Sequence, residues 1–200
     1  MSTIEVPSQP HMPAIQIQYL QDRLAHSKCF LEYGAGGSTR LAARMGVSRI
    51  FSVESDVQYS RKVIGAALAD RADLNLTMKT PDIGVTGAWG FPVNKEKFHL
   101  WPRYALDIWD DIQKVGQSPD LVLVDGRFRV ACFMASMIFC NENAEILFDD
   151  YTNRTKKYGV AATLCKPTRI VGGMMVFHVP PKRLFPQLSA ALARYSCIPD

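Results

Sequence analysis

Residues 28 to 38 read Lys-Cys-Phe-Leu-Glu-Tyr-Gly-Ala-Gly-Gly-Ser, and this stretch limits the fold more than any other. Cys29-Phe30-Leu31 is a short apolar run of the length of a buried strand, and Glu32 ends it. Gly34, Gly36 and Gly37 follow, and a helical pattern opens at Ser38 and Thr39. A strand that stops at a glycine turn and feeds a helix offers backbone N–H groups to a ligand at the helix N-terminus. The dinucleotide fingerprint needs glycines at the first, third and sixth positions of such a turn. Counted from Gly34, the sixth position is Thr39, so an NAD-dependent reductase is disfavoured.

A second acid follows at the right distance. Residues 49–53, Arg-Ile-Phe-Ser-Val, read as another strand, and Glu54 ends it, 22 positions beyond Glu32. A carboxylate at the end of a second strand can accept both hydroxyls of a ribose. The bland alternatives are a tight turn with no ligand, and a Glu54 that joins Asp56 in capping the helix after it.

The pattern acid-x-Gly-x-Gly-x-small, filled by Glu32, Gly34, Gly36 and Ser38, resembles motif I of the class I S-adenosylmethionine (SAM)-dependent methyltransferases. Ser38 stands where many members have a third glycine. The resemblance implies that Glu32 lies near the methionine ammonium and that Gly34, Ala35, Gly36 and Ser38 make room for the amino-acid part of the cofactor. It implies that Glu54, with Ser55 beside it, holds the ribose. Asp82, after the third strand, then becomes a candidate for the adenine amino group; a turn-forming Asp after Pro81 explains it equally well.

The rest of the chain fits that frame. Residues 1–13 form a proline-bearing arm, and Ile15, Ile17, Leu20 and Leu24 mark a partly amphipathic helix over 14–26. This N-terminal part, 1–27, is either a lid over the cofactor cleft or plain packing. Helices are expected over 38–45 and 57–70, the second with Tyr59, Val63, Ile64, Ala67 and Leu68 near one face, and a third strand over 74–78. The segment 84–102 is long, glycine-rich and aromatic, with Trp89, Phe91, Phe98 and Trp101. It is either a substrate wall or the cover of a sheet edge or a homodimer contact. Ala105, Ile108, Trp109 and Ile112 predict a helix over 104–115. Leu121-Val122-Leu123-Val124 is a strand buried on both faces, ending at Asp125-Gly126. A helix over 127–139, a strand over 145–148 and a helix over 158–164 follow. Two strands, 168–171 and 174–179, are joined by Gly172-Gly173 in a tight hairpin, and a last helix covers 183–195. The expectation is one domain over 1–200: α/β, a Rossmann-like three-layer sandwich whose mostly parallel seven-stranded sheet ends in an antiparallel hairpin. The resemblance implies that ending, since class I methyltransferases close with such a hairpin.

Ligands of open α/β sheets sit outside the carboxyl ends of the strands. Asp125, Asp149 and Asp150 should gather there as candidate catalytic acids. The arrangement resembles the metal-dependent O-methyltransferases, which implies a Mg²⁺ site on Asp125, Asp149 and Asp150. Without a metal, Asp125 serves as the proton acceptor. Arg127 and Arg129 open the next helix, where they hold an anionic substrate group or pair with these aspartates.

Composition excludes several classes. The net charge of +4 shows no nucleic-acid stripe, and five cysteines with no C-x-x-C pair argue against a disulfide framework or a zinc site. No basic-then-apolar leader and no span of about 20 apolar residues is present, so a cytoplasmic, soluble protein is expected. The reading is a SAM-dependent methyltransferase acting on a small hydroxyl-bearing metabolite. The rival is a methyltransferase-like domain that binds a nucleoside or a partner without transferring methyl.

Overall fold

The computed structural model describes residues 5–200. The apolar runs form strands β1 (Cys29–Tyr33), β2 (Arg49–Val53), β3 (Leu76–Lys79), β4 (Leu121–Val124), β5 (Glu145–Phe148), β6 (Arg169–Val171) and β7 (Met174–His178). They make one sheet in the order β3-β2-β1-β4-β5-β7-β6. The first five are parallel, and β7 runs antiparallel to both β5 and β6. The chain reverses between β3 and β4, which places the carboxyl ends of β1 and β4 side by side at a switch point. The predicted seven-stranded, Rossmann-like sandwich with its terminal hairpin is the observed fold.

Strand periodicity assigns each face. Phe30, Leu121, Leu123 and Leu147 point to the layer of α1 (Ala14–Leu24) and α2 (Gly37–Arg44). The helix α3 (Val57–Asp70) packs beside α2. Leu31, Tyr33, Val122, Val124 and Phe148 point to α4 (Pro102–Lys114), α5 (Arg129–Phe139) and α8 (Phe185–Tyr195). All four expected apolar positions of α4 are buried. Burying Ile108 or Ile112 contributes about 2 kcal/mol each by area.

Several boundaries differ from the sequence reading. Glu32 does not end β1, because the strand pairs on both sides as far as Tyr33. The third strand starts at Leu76, and the expected 158–164 helix is two short ones, α6 (Thr155–Tyr158) and α7 (Val160–Leu164), broken at Gly159. In α3 only Ser60, Val63 and Ala67 are buried, while Leu68 is exposed. In α1 Ile15 is exposed, and the buried residues are Gln16, Leu20 and Leu24. Among the described residues no helix is long and apolar enough to cross a membrane.

Candidate functional site

The turn after β1 and the turn after β4 meet backbone to backbone. Gly34 has φ +96°, and a Cβ on it would lie 2.8 Å from Gly126 Cα, so only glycine fits both the angle and the contact. Gly126 is equally confined, since a Cβ there would lie 2.8 Å from Gly34 N and 2.2 Å from the Tyr104 hydroxyl oxygen. Over these turns opens a cavity of about 1070 Å³. Gly34, Ala35, Gly36, Gly37 and Ser38 line it on one side, Glu54, Ser55 and Tyr59 on a second, and Asp125, Asp149 and Asp150 on a third.

Glu54 lies at the end of β2, where its Oε1 accepts from the Asp56 amide at 2.9 Å. The capping of α3 belongs to Asp56, which accepts from the amides of Gln58 (2.8 Å) and Tyr59 (2.9 Å). Glu54 is therefore not the helix cap, and burial pushes its carboxyl above the ordinary range.

Glu32 is a different matter. It lines no part of the cavity and is completely buried beneath the turn. The face it shares with Phe30 points to α2, and there it accepts hydrogen bonds from Ser38 Oγ (2.5 Å), Thr39 Oγ1 and Ser52 Oγ (2.5 Å). Thr39 Oγ1 in turn accepts from the Gly36 amide at 3.0 Å. The structure thus gives Glu32 the task of holding the glycine turn, which lies between it and the cavity. Burial pushes its carboxyl to about 7 against the downward pull of the three hydroxyls. Ser38 likewise points its hydroxyl at Glu32 while its backbone faces the cavity rim.

Asp82 stands outside the main cavity. It lines an adjoining recess of about 340 Å³ that shares Ser55, Asp56 and Thr86 with it. Its carboxylate accepts from the Gly84 amide at 3.0 Å and pairs with Lys97, and both partners hold it below the usual carboxylate range, Lys97 more strongly.

The three acids do gather, with carboxylate oxygens within 4.8 Å of one another. Three such groups would suit a hard cation by donor type. Arg129, whose side chain is 4% exposed, pairs with two of them. Its guanidinium lies 3.1 Å from Asp125 and 3.4 Å from Asp150, and donates to the Asp149 carbonyl at 2.9 Å. Arg154 adds a second pair to Asp150 at 3.2 Å. The Arg129 guanidinium thus offsets charge on two of the three carboxylates, Asp125 and Asp150, the neutralisation that a divalent ion would otherwise supply. Arg127 takes no part in it and donates to the Asp200 carbonyl oxygen. Asp125 still keeps a quarter of its side chain exposed toward the cavity. Burial, reinforced by Asp149 and Asp150 and opposed by Arg129, pushes its carboxyl to about 8.

Two segments cover the cavity. In the 84–102 segment a Thr86–Pro92 bridge forms a small loop with Trp89 at its tip. Trp89 has φ +58° and is 79% exposed, while Gly90 rests against Ser55 Oγ and Glu54. From the other side comes the arm: a Cβ on Gly37 would strike Gln9 O at 2.1 Å, so the arm lies directly on the start of α2. Arg40 and Arg44 hold it there by donating to the carbonyls of Val6 and Ser8. The two covers meet where the His11 and Trp89 rings approach to 5.7 Å between centroids.

The sequence reading missed Gln16, Tyr59, Tyr104, Arg154 and the arm residues Pro7, Pro10 and His11, all of which touch the site. Only Gln16 had a signal: it sits at i, i+4, i+8 with Leu20 and Leu24, a polar residue in an apolar stripe.

Sheet order, closing hairpin and glycine turn define a class, and the chain belongs to it: the class I SAM-dependent methyltransferases. A methyltransferase-like protein from Silicibacter pomeroyi is 32% identical, superposes with a TM-score of 0.84, and matches 96% of this chain and 99% of its own. An O-methyltransferase from Bacillus cereus solved with SAH shares the fold at 14% identity (TM-score 0.58, 86% of this chain and 84% of its own). So does the O-methyltransferase TomG from Streptomyces achromogenes, solved with SAM, at 17% identity (TM-score 0.52, 92% and 67%). No protein-family profile matches the chain, and no curated protein sequence does.

Proposed function

We propose that this protein binds SAM in the cavity and transfers its methyl group to a hydroxyl of a small molecule, with Asp125 accepting the proton. The observation that carries the reading is that Glu54 and Asp125 line one cavity on either side of the Gly34–Ser38 turn. The residues fit the cofactor: the turn has no Cβ at Gly34 and Gly36, and acids outnumber arginines six to three among the lining residues, which suits a cationic ligand. Glu54 would hold the ribose hydroxyls, and the recess lined by Asp82 would take the adenine. Bound SAM supplies an electrophilic methyl on a sulfonium.

The chain's own work is positioning and proton transfer. A carboxyl raised to about 8 is better matched to a hydroxyl proton than an ordinary carboxylate, because the proton-transfer driving force is larger. Arg129 keeps the charge of the cluster balanced when Asp125 is ionised, the part that a Mg²⁺ ion was expected to fill. Loop and arm would exclude water above the cofactor.

The test pairs calorimetry with a labelled-methyl assay over a panel of hydroxyl-bearing metabolites. SAM binding is expected, weakened roughly ten- to a hundredfold by Glu54→Ala through lost charge-assisted hydrogen bonds. NADH binding without SAM binding would sink the reading. SAM binding with no methyl transfer to any hydroxyl would leave a nucleoside-binding domain.

A further inference from the structure

Helix α1 does more than cover the sheet. Along β5 the residues facing α1 are Glu145, Leu147 and, just past the strand, Asp149, and α1 meets the two acids in reverse order. Tyr19 donates to Glu145 at 2.6 Å and Arg23 at 2.5 Å, and one turn earlier Gln16 Nε2 donates to Asp149 Oδ1 at 2.6 Å. Gln16 is 1% exposed and Asp149 5% exposed, so this bond lies out of solvent. The hairpin turn is shaped around it: a Cβ on Gly172 would lie 3.3 Å from Gln16 Cγ, and one on Gly173 would lie 3.9 Å from Nε2.

We propose that Gln16 is a positioning residue of the methyl-transfer site, holding the Asp149 carboxylate so that the Arg129 fork stays on Asp125 and Asp150. The inference rests on the reading of Asp125 as proton acceptor. A buried carboxylate must find donors, and leaving one without them is costly. With Gln16 in place, Asp149 has a neutral donor of its own, and Arg129 needs to give Asp149 only the bond to its carbonyl. Asp149 also shares a side-chain hydrogen bond with Asp125, so without Gln16 its remaining demand falls on Asp125 and on the Arg129 guanidinium, and a turn of either toward the Asp149 carboxylate would loosen the hold of Arg129 on Asp125 or Asp150. A neutral amide suits the task, since a lysine or arginine at this position would cancel charge that the cluster needs. The length matters as well, because asparagine is one methylene short of a 2.6 Å contact.

The experiment compares wild type, Gln16→Met, Gln16→Glu, Asp149→Asn and the double variant Q16M/D149N. It reads kcat on a hydroxyl substrate that wild type methylates, SAM affinity by calorimetry, and the Arg129 guanidinium resonances in ¹⁵N–¹H NMR. Met keeps the volume and helix preference and removes the donor; Glu keeps the shape and puts a carboxyl in the donor's place. In Q16M kcat should fall on the order of tenfold, as for a lost hydrogen bond to a charged group, with SAM affinity within about twofold because Gly34 and Glu54 do not touch Gln16. Q16E should be impaired most at the alkaline end, where its carboxyl ionises against Asp149, and both should move the Arg129 resonances. Because Gln16 acts through Asp149, adding Q16M to D149N should cost less than about a further twofold. The proposal is overturned if Q16M behaves as wild type, if the two substitutions add, or if SAM affinity falls in step with kcat. Should Q16M fail to fold, Q16E and its Arg129 resonances decide alone. Arg129 resonances that move in a protein that methylates no hydroxyl would uphold the positioning role and remove the reading it serves.

Discussion

Glu32 offers a stability prediction that can be worked from the structure. It is completely buried, its ordinary pKa is 4.5, and burial raises it to about 7 despite three hydroxyl donors. A carboxyl raised in the folded state binds its proton more tightly there than in the unfolded chain. Its stabilising contribution is therefore complete below the unfolded value and is lost as pH rises through the folded one. The window is pH 4.5 to about 7. At about 1.4 kcal/mol per unit, the shift corresponds to about 3 kcal/mol lost across that window. Glu32→Gln cannot titrate, but one of the hydroxyls on Ser38, Thr39 or Ser52 must turn round to accept from the new amide. It should thus be about 1 kcal/mol less stable than wild type near pH 4.5, and more stable than wild type at pH 8. Urea denaturation of both proteins without ligand, every half unit from pH 4.5 to 8, gives the difference curve, variant minus wild type, which should rise with pH and in which most other titrating groups cancel. A flat curve, or one falling with pH as a salt-bridged carboxylate would give, refutes the reasoning.

Other outcomes are open to simpler assays. The kcat–pH profile should rise through about 8 as Asp125 loses its proton, and Asp125→Asn should abolish that limb and lower kcat about a hundredfold or more. Removing the Trp89-Gly90-Phe91 tip should weaken SAM binding as well as turnover in titration calorimetry, because Gly90 rests on Ser55 and Glu54; turnover lost alone would place the tip on the substrate. Gly37→Ala should lift the arm off α2, read as faster amide exchange over residues 8–12; unchanged exchange would mean that the arm yields without leaving.

Much of this was legible in the sequence, and for identifiable reasons. The strand ends carrying Glu54 and Asp125 could be read because apolar runs stop at them, and the hairpin because Gly172-Gly173 interrupts two β-rich segments. The gathering of Asp125, Asp149 and Asp150 followed from topology alone. What could not be read is direction. Glu32 matched a motif by position, yet strand periodicity aims it at α2, and that needs the register of β1 against β2 and β4. Which arginine would enter the acid cluster depended on where α5 begins: Arg129 is its first residue and faces the cluster, while Arg127 lies ahead of the left-handed Phe128 and turns to Asp200. The arm carried no periodicity at all, so its contact with Gly37 emerges only in three dimensions.

The contact between Gly34 and Gly126 has a consequence for how this protein could change. The two turns that bracket the cavity hang from neighbouring strands and touch without a side chain between them. Their separation is therefore a gauge set by hydrogen-bonded strand spacing, about 4.8 Å in any sheet, and not by the packing of any particular core. Core substitutions that swell or loosen a helix layer would leave this gauge alone. The arm and the Trp89 tip contribute nothing to it, so changes there would reshape the mouth of the cavity without moving the two turns. A mouth altered in this way would keep the distance between the Gly34 turn and the Asp125-Gly126 turn unchanged.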